Sequence, residues 1–500
     1  MLRDALSNKT TTLNGALTNA STKNSLVDLF GVAGSARRMS DEAIIELYEK
    51  AAATDEESAI ILMFYFRDIL QGQGERRFFR VLLKHLGETR PEIAKALIEH
   101  VPEFGRWDDL YALVDTPVEK EMFSFMKAQL AKDRRSEHPS LLAKWLKGSR
   151  PSSPESKRLM RKTWQAFELT PVAYRKILSA LRKRIGIIET QMCKNEWDQI
   201  DYSKVPSQAM KQYIRAFGRR DGERFGNYLD SVLNKDKTVE SATINAKTLY
   251  PHEIIGSLPS LRRFGTSTQT DLEEKALTAL WENLPEYALY DTLPVIDVSG
   301  SMLTPISEKV RPIHASIGLG LYAAEHMEGE FKNSFITFDS NPRFVEFSEK
   351  ESFIDRVRKI AESDWGYSTD LEKVFKLILT RAIVNNVPQE QMPQRILIIS
   401  DMEFDSCSEY GETIYENAHK RFKQAGYQLP QVVFWNVDAK TKQYPIVEED
   451  NALILSGYSP VVIKFLYGGE LLTPIDLVME VVNSERYNPI RESLSSTQKW

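Results

Sequence analysis

The sequence predicts an α plus α/β protein of two domains: an N-terminal α-helical repeat domain at residues 36–280, and a C-terminal domain at residues 290–500 built on a doubly wound, mostly parallel sheet. Three observations predict this organisation. The chain has 500 residues, more than one hydrophobic core usually organises. Up to about residue 280, apolar residues recur at helical spacing. Beyond about residue 290, short apolar runs alternate with helical stretches, as in a parallel sheet covered on both faces.

Composition and cysteine content predict a cytoplasmic protein with no membrane partner. Hydrophobic residues make up 42% of the chain and charged residues 27%, which is typical of soluble folded proteins. The longest apolar run, Ala59–Phe66, is too short to cross a bilayer, and Met1–Thr12 has no apolar signal core. Cys193 and Cys407 are far apart and suit a reducing compartment, where neither a disulfide framework nor a zinc site is expected.

The N-terminal half reads as a lead-in followed by serial helices. Residues 1–35 are rich in Thr, Asn and Ser and are expected to be partly ordered. Ser40, followed by Asp41 and Glu42, then predicts a helix start, because acidic side chains favour the positive end of a helix. Short breaks containing Gly or Pro separate most of the later stretches, which is typical of an irregular, HEAT-like solenoid. The further predicted helices are 57–70, 75–86, 91–101, 107–114, 118–130, 141–146, 156–167, 171–187, 206–217 and 223–235.

The C-terminal part alternates strands and helices. The predicted strands are 293–298, 334–338, 395–400, 432–437 and 452–455. The predicted helices are 307–327, 353–361, 371–382 and 413–425. In such sheets the ligand site lies beyond the carboxyl ends of the strands.

Oxygen-bearing side chains stand at three of these predicted junctions. Asp297, Ser299 and Ser301 follow the first strand, Thr369 precedes a helix, and Asp401 ends another strand. Carboxylates and hydroxyls without thiol or imidazole favour Mg²⁺, with Mn²⁺ or Ca²⁺ as alternatives, over zinc. The sequence therefore predicts a divalent-metal site at one edge of the sheet.

This pattern resembles the metal-ion-dependent adhesion site of von Willebrand A domains, and the resemblance implies that all five residues are ligands and that residues 290–500 form such a domain. Those domains bind partners through the metal, so an acidic protein residue or a phosphate would complete the site here. No Gly-rich loop ending in Gly-Lys-Ser/Thr occurs, and no His partner for Ser299 or Ser301 is evident in the sequence. We therefore expect no enzyme activity and assign no catalytic residue.

Charge is distributed unevenly along the chain. Residues 132–224 hold 22 Lys and Arg against 10 Asp and Glu, a net +12, which leaves −17 for the remainder. Such a segment indicates either a polyanion-binding face or solvated helix surfaces. Trp145, Trp164 and Tyr174 lie among these cations and could stack bases or pack in the core. The candidate RNA-binding residues are Lys144, Lys147, Arg150, Lys157, Arg158, Arg161, Lys162, Arg175, Lys176, Arg182, Lys183 and Arg184.

Several strings in the helical half resemble a largely uncharacterised family of plants, fungi and viruses, including phages, known mainly as a domain of unknown function. They are Thr12–Ala16, Phe66–Arg76, Pro102–Leu110, Leu169–Arg175, Trp197–Tyr202, Val205–Ser207 and Ile244–Glu253. Within them, Arg67 and Asp68 are interpreted as an ion pair that braces adjacent helices, and Asp108 and Asp109 as a helix start.

The order of domains is also similar to that of the Ro ribonucleoproteins, whose TROVE module holds small structured RNAs and single-stranded RNA ends on a basic helical ring. This resemblance implies a non-enzymatic scaffold that binds structured or single-stranded RNA. The alternative is a protein-interaction module that binds an acidic partner residue through the metal, without nucleic acid.

Overall fold

The computed structural model describes residues 8–148, 153–234, 242–258, 271–306, 310–338, 341–361, 370–406, 412–466 and 471–497. A helical N-terminal half precedes a C-terminal half built on a mixed sheet, which confirms the predicted order of architectures. None of the helices in these ranges combines the length and apolar character that crossing a lipid bilayer requires.

Helices in the N-terminal half begin where the sequence offers a cap. The Ser40 hydroxyl accepts the Ala43 N–H, and the Asp55 carboxylate accepts the Ser58 N–H. The helices are α1 (Ser25–Ala33), α2 (Asp41–Thr54), α3 (Glu56–Arg67), α4 (Arg76–Thr89), α5 (Pro91–Leu97), α6 (Val101–Phe104), α7 (Glu119–Arg135), α8 (Leu142–Trp145), α9 (Pro154–Ala166), α10 (Pro171–Ile185), α11 (Ile188–Cys193), α12 (Ser207–Arg220) and α13 (Gly222–Leu233).

Several predicted helices differ from the structure in form or length, and the largest differences are at the predicted helices 107–114 and 307–327. Residues Trp107–Leu113 form a 3₁₀ segment instead of an α-helix, and the Asp109 carboxylate at its start accepts the Arg106 N–H. The long predicted helix at 307–327 spans only Pro312–Glu325, because proline is favoured in the first turn of a helix.

The strands predicted at 293–298, 334–338, 395–400, 432–437 and 452–455 and the helices predicted at 353–361, 371–382 and 413–425 are present, and the described residues also form short strands and helices that were not predicted. The strands are β1 (Lys9–Thr11), β2 (Leu17–Asn19), β3 (Leu289–Tyr290), β4 (Thr292–Asp297), β5 (Met327–Glu328), β6 (Ser334–Phe338), β7 (Phe344–Glu346), β8 (Arg395–Ser400), β9 (Gln431–Asn436) and β10 (Ala452–Ser456). The helices are α14 (Pro251–Ile255), α15 (Asp271–Glu282), α16 (Pro312–Glu325), α17 (Phe353–Ala361), α18 (Leu371–Val384), α19 (Ile414–Gln424), α20 (Pro474–Val482) and α21 (Asn488–Thr497).

The main sheet has the strand order β10-β9-β8-β4-β6-β7, parallel except for β7 at its edge. Every residue of β4, β6, β8, β9 and β10 is buried, so both faces of these strands are covered. From β4 the chain moves to β6 on one side, and it later returns to β8 on the other. The crevice between the ends of β4 and β8 is therefore a topological switch point, where α/β sheets bind ligands.

The N-terminal segment, predicted to be a partly ordered lead-in, packs in its described part against this distant sheet. The Thr12 hydroxyl donates to the Phe404 carbonyl, and the Asn19 N–H donates to the Tyr444 carbonyl. Helix α1 lies against β10, where the Gly34 N–H donates to the Ser456 hydroxyl. The first described residues of the chain thus complete one layer of the C-terminal sheet.

Candidate functional site

Asp297 is the last residue of β4 and is fully buried. Its Oδ1 accepts the Ser299 N–H at 2.9 Å, and its Oδ2 accepts the Ser400 hydroxyl at 2.5 Å. Chain reversal into the 3₁₀ segment Gly300–Leu303 places the Ser299 and Ser301 hydroxyl oxygens 3.1 Å apart. The predicted Asp-x-Ser-x-Ser spacing therefore folds into one oxygen-rich turn beyond the strand.

Asp401 follows the neighbouring strand β8 and is also buried. Its Oδ1 accepts the Glu403 N–H at 3.2 Å, and its Oδ2 lies 2.6 Å from Lys440 Nζ. Burial, reinforced by the charge of Asp401, raises the pKa of Asp297 to about 7. The two carboxylates are therefore close enough to destabilise each other when both are ionised.

The donor set suits a hard divalent cation. Adjacent ligands of an octahedral Mg²⁺ with Mg–O bonds of about 2.1 Å lie about 3 Å apart, near the spacing of the two serine oxygens. Two buried carboxylates at one site also favour a bound cation electrostatically. Within the described ranges, no three His, Cys, Asp or Glu side chains form a group that could hold a metal, so the hydroxyls are essential to this candidate. The fifth predicted ligand, Thr369, lies outside the described residues.

Sequence reasoning missed four neighbours of this site. Ser400 orients Asp297, and Lys440 pairs with Asp401. Asp438 is buried beyond β9, which raises its pKa to about 6, and Arg38 Nε lies 3.1 Å from its Oδ1. Arg38 also donates to the carbonyl of Thr304. Asp438 could have been predicted as a site residue from its position just beyond a third strand. No local sequence pattern indicated Arg38 or Lys440.

The structure divides the predicted RNA-binding residues by environment, and four of them have partners within the fold. Arg182 donates to the Ala143 and Leu146 carbonyls, and Arg184 donates to the Ser136 and Arg134 carbonyls. The other two, Arg158 and Lys162, form ion pairs with nearby carboxylates, which are Asp115, Glu119 and Glu155. These contacts brace helices, so the four side chains are less available to a ligand than the sequence suggested.

Two further candidates lie over aromatic rings. Lys144 Nζ is 5.6 Å from the centre of the Trp145 ring, and Lys147 Nζ is 5.3 Å from that of Tyr111. The exposed candidates without an ion pair among the described residues are Lys157, Arg161, Arg175, Lys176 and Lys183. The last predicted residue, Arg150, lies outside the described residues.

The three interleaved aromatic residues differ in accessibility. Tyr174 is fully buried and donates to the Lys147 carbonyl, so of the two alternatives that the sequence left open it packs in the core. Trp164 is half-buried, with its ring centre 6.5 Å from that of Tyr174 in an edge-on arrangement. Trp145 is also half-buried and carries the guanidinium of Arg106 at 4.5 Å.

Comparison with known proteins finds a family match in each half of the chain. Residues 12–165 and 140–286 match a domain of unknown function, DUF2828, and residues 291–496 match another, DUF7788. The uncharacterized protein L728 of Acanthamoeba polyphaga mimivirus is 26% identical over 531 aligned positions, covering 97% of this chain and 89% of that protein. The crystal structure of the Deinococcus radiodurans RO (RSR) protein shares the fold with a TM-score of 0.50 at 13% identity, over 89% of this chain and 99% of that one. Because the DUF2828 pattern spans more than half of its length, the chain belongs to the DUF2828 family.

Proposed function

We propose that this protein is a non-enzymatic, Ro-like RNA-binding scaffold, and that its C-terminal half is a von Willebrand A-type domain with a divalent-metal-dependent ligand site. The observation that carries the proposal is the fold shared with the RO protein over most of both chains. The exposed basic residues of α9 and α10 supply positive charge that suits the phosphates of RNA.

RNA would bind the helical half through its phosphates. Lys157 and Arg161 are one helical turn apart on α9, and Arg175, Lys176 and Lys183 lie on the following helix, α10. Because they have no ion pair among the described residues, they can meet phosphates without breaking an internal contact. Binding of this kind releases counterions, so it should weaken steeply as salt rises.

The metal site would be held by Asp297, Ser299, Ser301, Thr369 and Asp401, with Mg²⁺ preferred over Mn²⁺ or Ca²⁺. A bound cation supplies an electrophilic centre that attracts a carboxylate or phosphate oxygen of a partner. Ser400 orients the Asp297 carboxylate through its hydrogen bond, and Lys440 balances the charge of Asp401.

We propose no catalytic role for these residues. Among the described residues, no histidine or other base is hydrogen-bonded to the hydroxyl of Ser299 or Ser301, whose mutual contact is the one described above. General-base activation of either serine therefore has no support in the geometry.

A filter-binding titration tests the RNA proposal with the full chain, a single-stranded RNA and a hairpin RNA at about 50 and 200 mM salt. Replacing the five exposed cations of α9 and α10 with glutamine should weaken binding at least about 10-fold and flatten its salt dependence. The control replaces five other exposed cations, namely Lys95, Lys120, Lys376, Arg381 and Lys423. Absence of RNA affinity in the wild type at low salt would refute the proposal.

A second candidate is a protein-interaction module that uses the metal to bind an acidic residue of a partner, without nucleic acid. It is favoured by the donor set itself, since two carboxylates and uncharged hydroxyls leave room for a further anionic ligand. Pull-downs with wild type and Asp297→Ala separate the two. Loss of a protein partner in the variant, with RNA binding absent from both, would favour this candidate.

A further inference from the structure

Two strings noted in the sequence, Phe66–Arg76 and Pro102–Leu110, meet in the helical half and form an arginine cluster. The cluster consists of Arg67, Arg76, Arg80 and Arg106, together with Asp108 and Asp109. Four positive and two negative side chains give it a net charge of +2. This surplus of positive charge at a partly buried cluster requires a physical explanation.

Both carboxylates are engaged by only two of the arginines. Asp109 is fully buried, with Arg67 Nε at 2.7 Å from its Oδ2 and Arg80 Nε at 2.6 Å from its Oδ1. Asp108 Oδ2 lies 3.0 Å from a terminal nitrogen of Arg80. The predicted pair of Arg67 with Asp68 is wrong, because Asp68 instead accepts from Arg486 at 2.9 Å.

Arg76 and Arg106 are left as the uncompensated cations. No carboxylate of the described residues pairs with either guanidinium, and Arg76 is exposed while Arg106 is half-exposed. Burial, together with repulsion from Arg76 and Arg67, lowers the pKa of Arg106 to about 10. An anion beside these two side chains would relieve that repulsion.

Arg106 is held in place by an aromatic ring. Its guanidinium carbon lies 4.5 Å from the centre of the Trp145 ring, and Lys144 Nζ lies 5.6 Å from the same centre. A ring face attracts the charge but leaves the N–H groups of a guanidinium available for a bidentate contact with phosphate. Trp145 is therefore a positioning residue for two cations.

This cluster is joined to the basic helices. Trp145 ends α8, which is tied to α10 by Arg182, a donor to the Ala143 and Leu146 carbonyls. Tyr174 on α10 donates to the carbonyl of Lys147, just beyond α8. The same α10 carries exposed cations of the proposed RNA surface, so one polyanion could contact both regions.

We propose that Arg76, Arg106 and Lys144 bind successive backbone phosphates of an RNA chain, with Trp145 holding the latter two side chains in place. The inference rests on the proposed RNA-binding function and extends it to Arg76 and Arg106, which lie outside the basic segment 132–224. An RNA backbone fits better than a single protein carboxylate because it presents repeated negative charges to a cluster that retains a surplus of positive charge.

The test measures binding of fluorescein-labelled decauridine to the full chain by fluorescence anisotropy, between about 50 and 200 mM salt. The Arg76→Gln/Arg106→Gln variant should bind at least about 10-fold more weakly, and its salt slope should fall by about 1.4, or about 0.7 for each lost phosphate contact. Trp145→Leu should also weaken binding, whereas Trp145→Phe should retain most of it because a ring is kept. The control, Lys95→Gln/Arg381→Gln, should bind like the wild type.

The outcomes separate this inference from the proposed function. Wild-type affinity in the double arginine variant, while the wild type binds RNA, would refute the phosphate site and leave the RNA scaffold intact. Absence of decauridine binding by the wild type would refute this inference, and absence of hairpin RNA binding as well would refute the proposed function too. A thermal shift with inorganic phosphate that needs both arginines, in a chain that binds no decauridine, would assign the cluster to free phosphate and overturn the RNA inference. The exposed single variant Arg76→Gln guards against a folding defect and should lower the salt slope by about 0.7.

Discussion

Docking of the N-terminal helix on the sheet depends on Gly34, the residue after α1. A methyl group added at Gly34 would lie 2.4 Å from the Ser456 carbonyl oxygen, 2.6 Å from its carbonyl carbon and 2.8 Å from the Gly457 nitrogen. Ordinary contacts of this kind begin at 3.4 Å, so the end of α1 and the end of β10 would have to separate by about 1 Å. All three atoms are backbone, and none can rotate away.

These contacts determine how much stability Gly34→Ala should lose. Overpacking of a buried junction costs about 1–3 kcal/mol, and loss of the Gly34 N–H bond to the Ser456 hydroxyl, 2.9 Å long, costs about 1 kcal/mol more. Gly34 has φ of −65°, which alanine adopts freely, so the substitution adds no backbone strain to these two costs. We expect the free energy of unfolding to fall by about 2–4 kcal/mol.

Urea unfolding followed by tryptophan fluorescence measures this change, and Gly218→Ala is the matched control. Gly218 lies inside α12, and its nearest neighbour would be Leu272 Cδ1 at 3.8 Å, so alanine should stabilise by about 0.5–1 kcal/mol. Hydrogen exchange should also quicken at Ala439, whose N–H donates to the Ser35 carbonyl. A Gly34→Ala protein as stable as the wild type would refute the docking of α1 on β10.

Three further predictions follow from buried charges. Asp109→Asn should lower the free energy of unfolding by about 3–5 kcal/mol, because Arg67 stays buried without its counter-ion. Asp115→Asn removes a carboxylate from an exposed ion pair and should cost less than about 1 kcal/mol. Equal losses of stability in urea unfolding would contradict this prediction. Mg²⁺ at 100 times its Kd should stabilise the wild type by about 2.7 kcal/mol in thermal unfolding, and an equal gain in Asp297→Asn would count against the metal site. Burial lowers the pKa of His252 in the folded protein to about 3, from an ordinary value of 6.5. Below pH 6.5 the unfolded chain therefore binds a proton at this histidine that the folded protein does not bind. Stability should therefore fall by about 1.5 kcal/mol between about pH 6.5 and pH 5 through this group, and an unchanged pH dependence in His252→Gln would exclude that contribution.

The sequence alone determined the five parallel strands of the main sheet, most of the longer helices, and the positions of Asp297, Ser299, Ser301 and Asp401 at the strand ends. Helical and strand periodicities are local, and so is the one-residue spacing that brings Asp297, Ser299 and Ser301 into one turn. The placement of Asp401 at a neighbouring strand end followed from the rule that parallel strands share a carboxyl edge. These inferences needed only short-range regularities.

Tertiary structure alone decided which charges meet and which surfaces stay open. Arg67 pairs with Asp109, 42 positions away, instead of its neighbour Asp68, and Lys440 reaches Asp401 from 39 positions away. Packing likewise brought residues of the N-terminal segment onto a sheet more than 400 positions distant. The free energy of an ion pair depends on distance and burial, neither of which is encoded in local spacing, and so the partners became visible only once the chain was folded.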